Sequence, residues 1–269
     1  MDGAQAPAKI KTAIEDKVGI ITLNDPGTLN AAGLELMAEL QVAFEDFAYG
    51  DKVRAIVITG EGRGFCSGAN LSGGGGGGTG GRAPAGKANS ALVGTFNPFV
   101  AAVRKSPKPL VAAVNGVAAG VGVSIALSAD LAVAADSAYF LLAFRRIGLV
   151  PDGGATWLLP RLIGKARAME LMLLGEKLPA KTAAEWGLIN KCVPDAELMA
   201  ASMQYARALA DGPASLGLTR NLVWNALESS FVEQLEAEAY GQGAAQLTSD
   251  ATEGVMAFVQ KRPANFTGR

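Results

Sequence analysis

The chain has 269 residues, 49% of them hydrophobic and 18% charged, which excludes a disordered protein and leaves room for one large domain or two small ones with a buried core. A net charge of −1 without any Lys/Arg run argues against a nucleic-acid partner. Histidine is absent and there are only two cysteines, so Ser-His or Cys-His nucleophile pairs, histidine-ligated zinc, thiolate metal cages and a disulfide framework are all excluded.

Any acid–base chemistry must therefore come from carboxylates, Lys, Tyr or Cys. Cys66 and Cys192 read as small buried hydrophobes in a reducing compartment. Met1 to Ala8 lacks a basic start followed by an apolar run, so no signal peptide is visible and a cytoplasmic location is expected.

In chain order, Ile10 to Asp25 reads as two short strands with a turn near Asp16 and Lys17. Asn30 then stands as an N-cap before a helix whose apolar positions are Leu34, Met37, Leu40, Val42, Phe44 and Phe47. "VRAIVITG" (53–60) is a buried strand ending in glycine. A run of glycines, Gly73 to Gly78, interrupts the pattern before a helix near Asn89 to Arg104. It matches neither a phosphate loop nor a dinucleotide loop.

"PLVAAVNG" (109–116) is a second buried strand, followed by an apolar helix from about Gly120. The uncharged stretch 110–129 has the length of a membrane span. Its Ala, Gly and Ser content around Asn115 reads better as a buried strand turning into a buried helix, so no membrane role is expected. "LAVAADSAYFLL" (131–142) resumes strand character. Strand, strand and helix thus recur about three times, and after Pro151 the chain reads as mostly helical. No linker divides it.

Two glycine-containing turns leave buried strands, "GRGFCSGANL" (62–71) and "VNGVAAGVGVSIAL" (114–127). Glycine lets a ligand approach the backbone, and a helix start near Gly120 leaves N–H groups free. Facing each other, such turns could offer two N–H groups to one carbonyl oxygen. "PDGG" (151–154) supplies a carboxylate, Asp152, and reads from the residues alone as either an ordinary turn or a base. Arg145 and Arg146 are expected in salt bridges or a subunit contact, and Asp130 as a structural carboxylate.

Several separated stretches resemble one family in the right order, from about Ile10 to Phe266. They are "FCSGANL", "VNGVAAGVGVSIALSADLAVAADSAYFLL", "RIGLVPDGGATWLLPRLIG", "AMELMLLGEKLPAKTAAEWGLINKCVP" and "EGVMAFVQKRPANF". The chain resembles the enoyl-CoA hydratase/isomerase, or crotonase, superfamily. The resemblance implies an α/β fold, a ClpP-like spiral of ββα units over residues 1–198. A helical C-terminal trimerisation region, 199–269, continues the same domain. It implies an acyl-CoA thioester as substrate, with coenzyme A part of that substrate, no separate cofactor and no metal. A homotrimer or a hexamer of two trimers is implied as the assembly.

The resemblance also places site residues. The oxyanion donors fall on the backbone N–H groups of Ala69 and Val121, with valine where glycine is usual. Coenzyme A contacts fall on Ala31, Ala69, Asn70, Leu71, Phe258 and Lys261. The two glutamates of the family's hydratases fall on Ser124 and Phe144, so both are missing. Asp152 matches the single aspartate of phenylacetate-pathway and dienoyl-CoA isomerases, with Ser124, Phe144 and Trp157 as acyl-pocket walls.

A proton shift between two carbons needs one base, and apolar neighbours would raise its pKa toward a useful value. The resemblance to 4-chlorobenzoyl-CoA dehalogenases at Asp152 is weakened by the missing histidine and by Phe144 in the tryptophan's place. A hydratase or lyase that recruits water differently, and a non-catalytic acyl-CoA binder, are the competing readings. The glycine segment 73–86 is expected to form a flap over the acyl end.

Overall fold

The structure is a computed structural model that describes residues 8–70 and 90–269. Leu71 and the glycine segment 73–86, with its expected flap, lie outside the described residues. Two sheets are built in alternation. The first has the order β1 (Ile10–Glu15), β2 (Val18–Leu23), β3 (Ala55–Gly60), β5 (Leu110–Val114), β7 (Leu131–Ala135), β10 (Lys191–Val193). The second has the order β4 (Gly64–Cys66), β6 (Val117–Ala119), β8 (Tyr139–Leu141), β9 (Lys177–Pro179).

Each passage of the chain adds a strand to one sheet, turns a corner of two or three residues, and adds a strand to the other. Apart from β1–β2 and β8–β9, neighbouring strands are parallel. Parallel strands are covered on both faces, which is why β3 and β5 read as continuous apolar runs.

The β1–β2 hairpin closes with Glu15 opposite Val18, and Asp16 and Lys17 both take positive φ, 48° and 65°, as a two-residue hairpin of matching twist requires. Helix α1 (Leu34–Tyr49) follows, capped by Gly33 and not by Asn30. Its buried face is Leu36, Met37, Leu40, Phe44, Phe47 and Ala48, whereas Leu34 and Val42 of the expected stripe are exposed. Asn30 is itself fully buried in the left-handed region (φ 58°). Its Nδ2 donates to the carbonyls of Glu61 and Gly64, and its Oδ1 accepts from the N–H of Asp25. The residue expected to start a helix instead ties the β2–α1 loop to the corner between β3 and β4.

A π-helical turn, Leu92–Phe96, leads into α2 (Asn97–Lys105). The span-like stretch becomes β5, a corner at Asn115 and Gly116, β6, and α3 (Val121–Leu127), every residue of which is buried. No helix among the described residues is long and apolar enough to cross a membrane. Residues 131–142 are two strands, β7 and β8, one for each sheet.

After Pro151, α4 (Ala155–Leu174) runs through a break at Gly164 (φ 77°). The expectation of a mostly helical second half misses β9 and β10, which flank α5 (Ala180–Glu185) and pair with Tyr139–Leu141 and Val133–Ala135. Helix α6 (Leu198–Ala210) packs across β3, β5 and β7. Beyond it lie α7 (Ser215–Ala226), α8 (Phe231–Gln246) and α9 (Ser249–Gln260).

Asp130 is structural, as expected. Its carboxylate accepts from Arg220 Nε at 2.7 Å, Trp224 Nε1 at 2.8 Å and the N–H of Leu110. The buried Arg220 guanidinium also donates to the carbonyls of Val103, Arg104 and Ser106, closing the C-terminus of α2. Arg145 and Arg146 donate to the carbonyls of Leu174 and Gly175 at the end of α4, which replaces the salt bridges expected for them.

Candidate active site

Three chemistry-bearing segments leave the ends of β4, β6 and β8, which are adjacent in the second sheet. The first is held by a parallel bridge between Ala32 and Ala69. In that bridge the N–H of Ala32 donates to the carbonyl of Gly68 (2.7 Å) and the N–H of Asn70 donates to the carbonyl of Ala32 (3.1 Å). The alternation of a strand then turns the intervening N–H of Ala69 to the opposite side. The N–H of Val121, the other expected donor, is the first of α3 and has no intrahelical acceptor.

The two turns are pressed together through glycine. Gly68 (φ 105°) and Gly120 (φ 50°, ψ −125°) occupy backbone regions that side chains disfavour. A Cβ built on Gly68 would lie 3.1 Å from the carbonyl oxygen of Ala119, and one on Gly120 would lie 3.7 Å from the Gly68 Cα. A Cβ on Gly122 would sit 2.3 Å from the carbonyl oxygen of Cys66. The two expected donors thus follow neighbouring strands of the second sheet.

Asp152 is brought to the same place. A Cβ on the following residue, Gly153 (φ 57°), would lie 2.7 Å from Ser124 Cβ and 3.4 Å from Val121 Cγ2. Phe144 is buried, with its ring tip 3.8 Å from the Cβ position of Gly120. Burial raises the Asp152 carboxyl to about 6 from its ordinary 3.8, with no contribution from any charged side chain among the described residues. Its Oδ1 is buried and has no hydrogen-bond partner there. Cys66, also nearby, is an inert thiol, pushed up to about 11 chiefly by burial against the opposing N–H groups of Gly68 and Ala32.

Other predicted residues lie at varying distance. Ala31 adjoins the bridge, and Asn70 touches the Gly33 Cβ position at 3.6 Å, so the start of α1 and the Ala69 segment form one patch. Phe258 and Lys261, on and just after α9, are exposed, and Phe258 is 85% so. Trp157, expected as an acyl wall, lies against α7. Its indole stacks on Trp224 at 6.3 Å, with Arg161 and Arg104 over its ring at 4.1 and 5.0 Å. It lines an apolar groove of about 670 Å³ with Asp130, Leu188 and Trp224, and that groove does not include Asp152.

Two contributors escape sequence reasoning. Asn30 and Asn115 both donate to the Gly64 carbonyl and so fix the corner before the Ala69 segment. An asparagine before a predicted helix carries the wrong signal, because capping and left-handed turns favour the same residue. The contact of Gly153 with Ser124 has no sequence signal, since the residues are far apart in the chain.

A family profile described as enoyl-CoA hydratase/isomerase matches residues 13–269. The chain belongs to the enoyl-CoA hydratase/isomerase family. It has the crotonase fold and is an enzyme of a family that acts on acyl-CoA thioesters. A protein of Escherichia coli K12 named 1,2-epoxyphenylacetyl-CoA isomerase is 42% identical over 261 residues, covering 97% of this chain and 98% of that one. A protein of Rhodobacter capsulatus named as a probable enoyl-CoA hydratase is 41% identical with the same coverage. Among solved structures, an enoyl-CoA hydratase from Bacillus anthracis superposes with a TM-score of 0.90 at 29% identity, covering 97% of this chain and 100% of that one. One from Polaromonas sp. JS666 gives 0.87 at 32%, covering 96% and 99%.

Proposed function

We propose that this chain isomerises the double bond of an enoyl-CoA, using Asp152 as the one acid–base group and the N–H groups of Ala69 and Val121 as oxyanion donors. The observation that supports this reading is a partly desolvated carboxylate whose own peptide rests on Ser124 and whose neighbour Gly153 lies against Ser124 and Val121, with glutamate absent from positions 124 and 144. Hydration asks for one group to activate water and another to deliver a proton. A shift within the substrate asks for one group that takes and returns the same proton.

The ionised Asp152 removes a proton from the carbon next to the thioester of a 3-enoyl-CoA. The electron pair moves into a dienolate whose oxygen is held by the two N–H groups. The carboxylic acid then returns the proton two carbons away, giving the conjugated 2-enoyl-CoA and restoring the carboxylate. A carboxyl near 6 is ionised at neutral pH and close enough to give the proton back. The buried Phe144 and the similarity to a protein named for an epoxyphenylacetyl thioester support a cyclic or aryl acyl group.

The coenzyme A moiety is assigned to the patch at Ala31, Ala69 and Asn70, with Phe258 and Lys261 supplied from a neighbouring copy. Self-association is assigned to the C-terminal helices, because α8 buries no residue and leaves Phe231, Leu235 and Tyr240 exposed. Light scattering of the purified protein tests that assignment, with a trimer or hexamer expected.

A panel of straight, cyclic and aryl 3-enoyl-CoA thioesters tests the reaction. Isomerisation leaves the product mass unchanged and raises ultraviolet absorbance as the double bond conjugates. Gain of one water by the product would replace the proposal with a hydratase. Tight binding with neither turnover nor solvent deuterium exchange would replace it with an acyl-CoA binder.

A further inference from the structure

Ser124 is the one hydroxyl of a helix whose every residue is buried. A buried hydroxyl needs an acceptor, and within a helix the usual one is the carbonyl four residues back. That carbonyl, of Gly120, already accepts from the N–H of Val123 at 3.0 Å. Ser124 Oγ leaves its own helix instead and donates to the backbone carbonyl of Asp152 at 2.8 Å. The same carbonyl accepts from the N–H of Ala155 at 3.1 Å. It is therefore held from two directions, by its own turn and by α3.

The contact is close as well as polar. A Cβ on Gly153 would lie 2.7 Å from Ser124 Cβ and 3.0 Å from its Oγ. The peptide joining Asp152 to Gly153 thus lies directly on the serine, one helical turn from the N–H of Val121. We propose that Ser124 is a positioning residue, which anchors the Asp152–Gly153 peptide to α3 and so fixes the base relative to the oxyanion donor on the same helix.

This inference rests on the isomerase reading. A single carboxylate serving two carbons of one substrate has to reach both from one backbone position. A misplacement of about 1 Å in such a group costs on the order of a hundredfold in rate. The charge state of Asp152 gives an independent handle. Burial alone displaces its titration, and no charged side chain among the described residues contributes. A loop released from α3 would admit water and bring the carboxyl back toward its ordinary value.

Ser124→Ala removes one of the two donors and leaves the other, so no buried carbonyl is orphaned and the fold should persist. The expected result with a 3-enoyl-CoA is a kcat reduced about tenfold, a KM within twofold, and an acid limb displaced to lower pH. Urea unfolding from about pH 4 to 8 should report the same displacement without substrate. Ser124→Cys, of similar size but a weaker donor, should fall between the two, and decides the matter if the alanine variant does not fold. An unmoved acid limb with kcat within twofold of the parent, whatever the change in melting temperature, overturns the inference. So does a raised KM with unchanged kcat. Asp152→Asn run alongside separates the two levels: full turnover in that variant refutes the isomerase reading itself, whereas an inactive Asp152→Asn beside an unaffected Ser124→Ala refutes only the positioning role.

Discussion

Replacing Asp152 by asparagine should make the protein more stable while removing its turnover. Burial raises the carboxyl from 3.8 to about 6. A difference of roughly two pH units corresponds to a ceiling of about 3 kcal/mol for holding the charge in the folded state. The side chain is only half-buried, and solvent screening reduces that ceiling to about 1 kcal/mol. The sign follows from the direction of the displacement. The folded state binds the proton more tightly than the unfolded chain, so the protonated carboxyl favours folding below the ordinary value of 3.8, and that advantage is lost as pH rises through about 6. Asparagine has no such dependence. The variant should thus exceed the parent by about 1 kcal/mol at neutral pH, or roughly 2–4 °C in Tm for a chain of this size. Near pH 4 the two should converge. Urea unfolding at fixed protein concentration across that range measures the gap, and turnover in the same preparations should fall by about 10²–10⁴. A gap that stays constant with pH, or a variant less stable at neutral pH, would refute the desolvated-carboxylate account.

The kcat/KM profile of the parent should rise with pH through about 6, since the base must lose its proton before it can act; a flat profile from pH 5 to 8 contradicts the assignment. Gly120→Ala should cost about 1–3 kcal/mol in urea unfolding, because φ 50° with ψ −125° strains any side chain. It should also lower kcat by about 10²–10³ by turning the N–H of Val121 away. Arg220→Ala should cost about 3–5 kcal/mol, leaving the Asp130 carboxylate and the carbonyls at the end of α2 without their cation. Its acid limb should stay near that of the parent, since none of those contacts involves Asp152.

What the sequence reveals depends on whether the signal is local. The runs at 55–60 and 110–114 and the Asp16–Lys17 turn carry their structure within a few residues, and they appear where periodicity and turn chemistry put them. β9 and β10 do not, because a three-residue strand shows no alternation and exists only through pairing with β8 and β7, far away in the chain. Asn30 misleads for a physical reason, since the side chain that can cap a helix can also brace a left-handed turn. Trp157 shows another limit: sequence proximity to Asp152 does not reveal that its ring stacks on Trp224. Asp152 is visible as a residue type, but the raised pKa that suits it to the proposed role comes from burial, which only the folded chain supplies.

The adjacency of β4, β6 and β8 in the second sheet has a consequence for how this scaffold diversifies. On the proposed reading, the carbonyl grip hangs from the first two rungs and the proton carrier from the third. A change confined to the segment after β8 would then relocate or delete the proposed base while leaving Ala69 and Val121 themselves unaltered, provided the packing of Phe144 and Gly153 on α3 and the turn before it is kept. Loop transplantation after Leu141 from another member of the family is thus a route to new chemistry on the same thioester handle. Such grafts have one condition, that the incoming segment keep a residue as slim as Gly153 where it rests on α3.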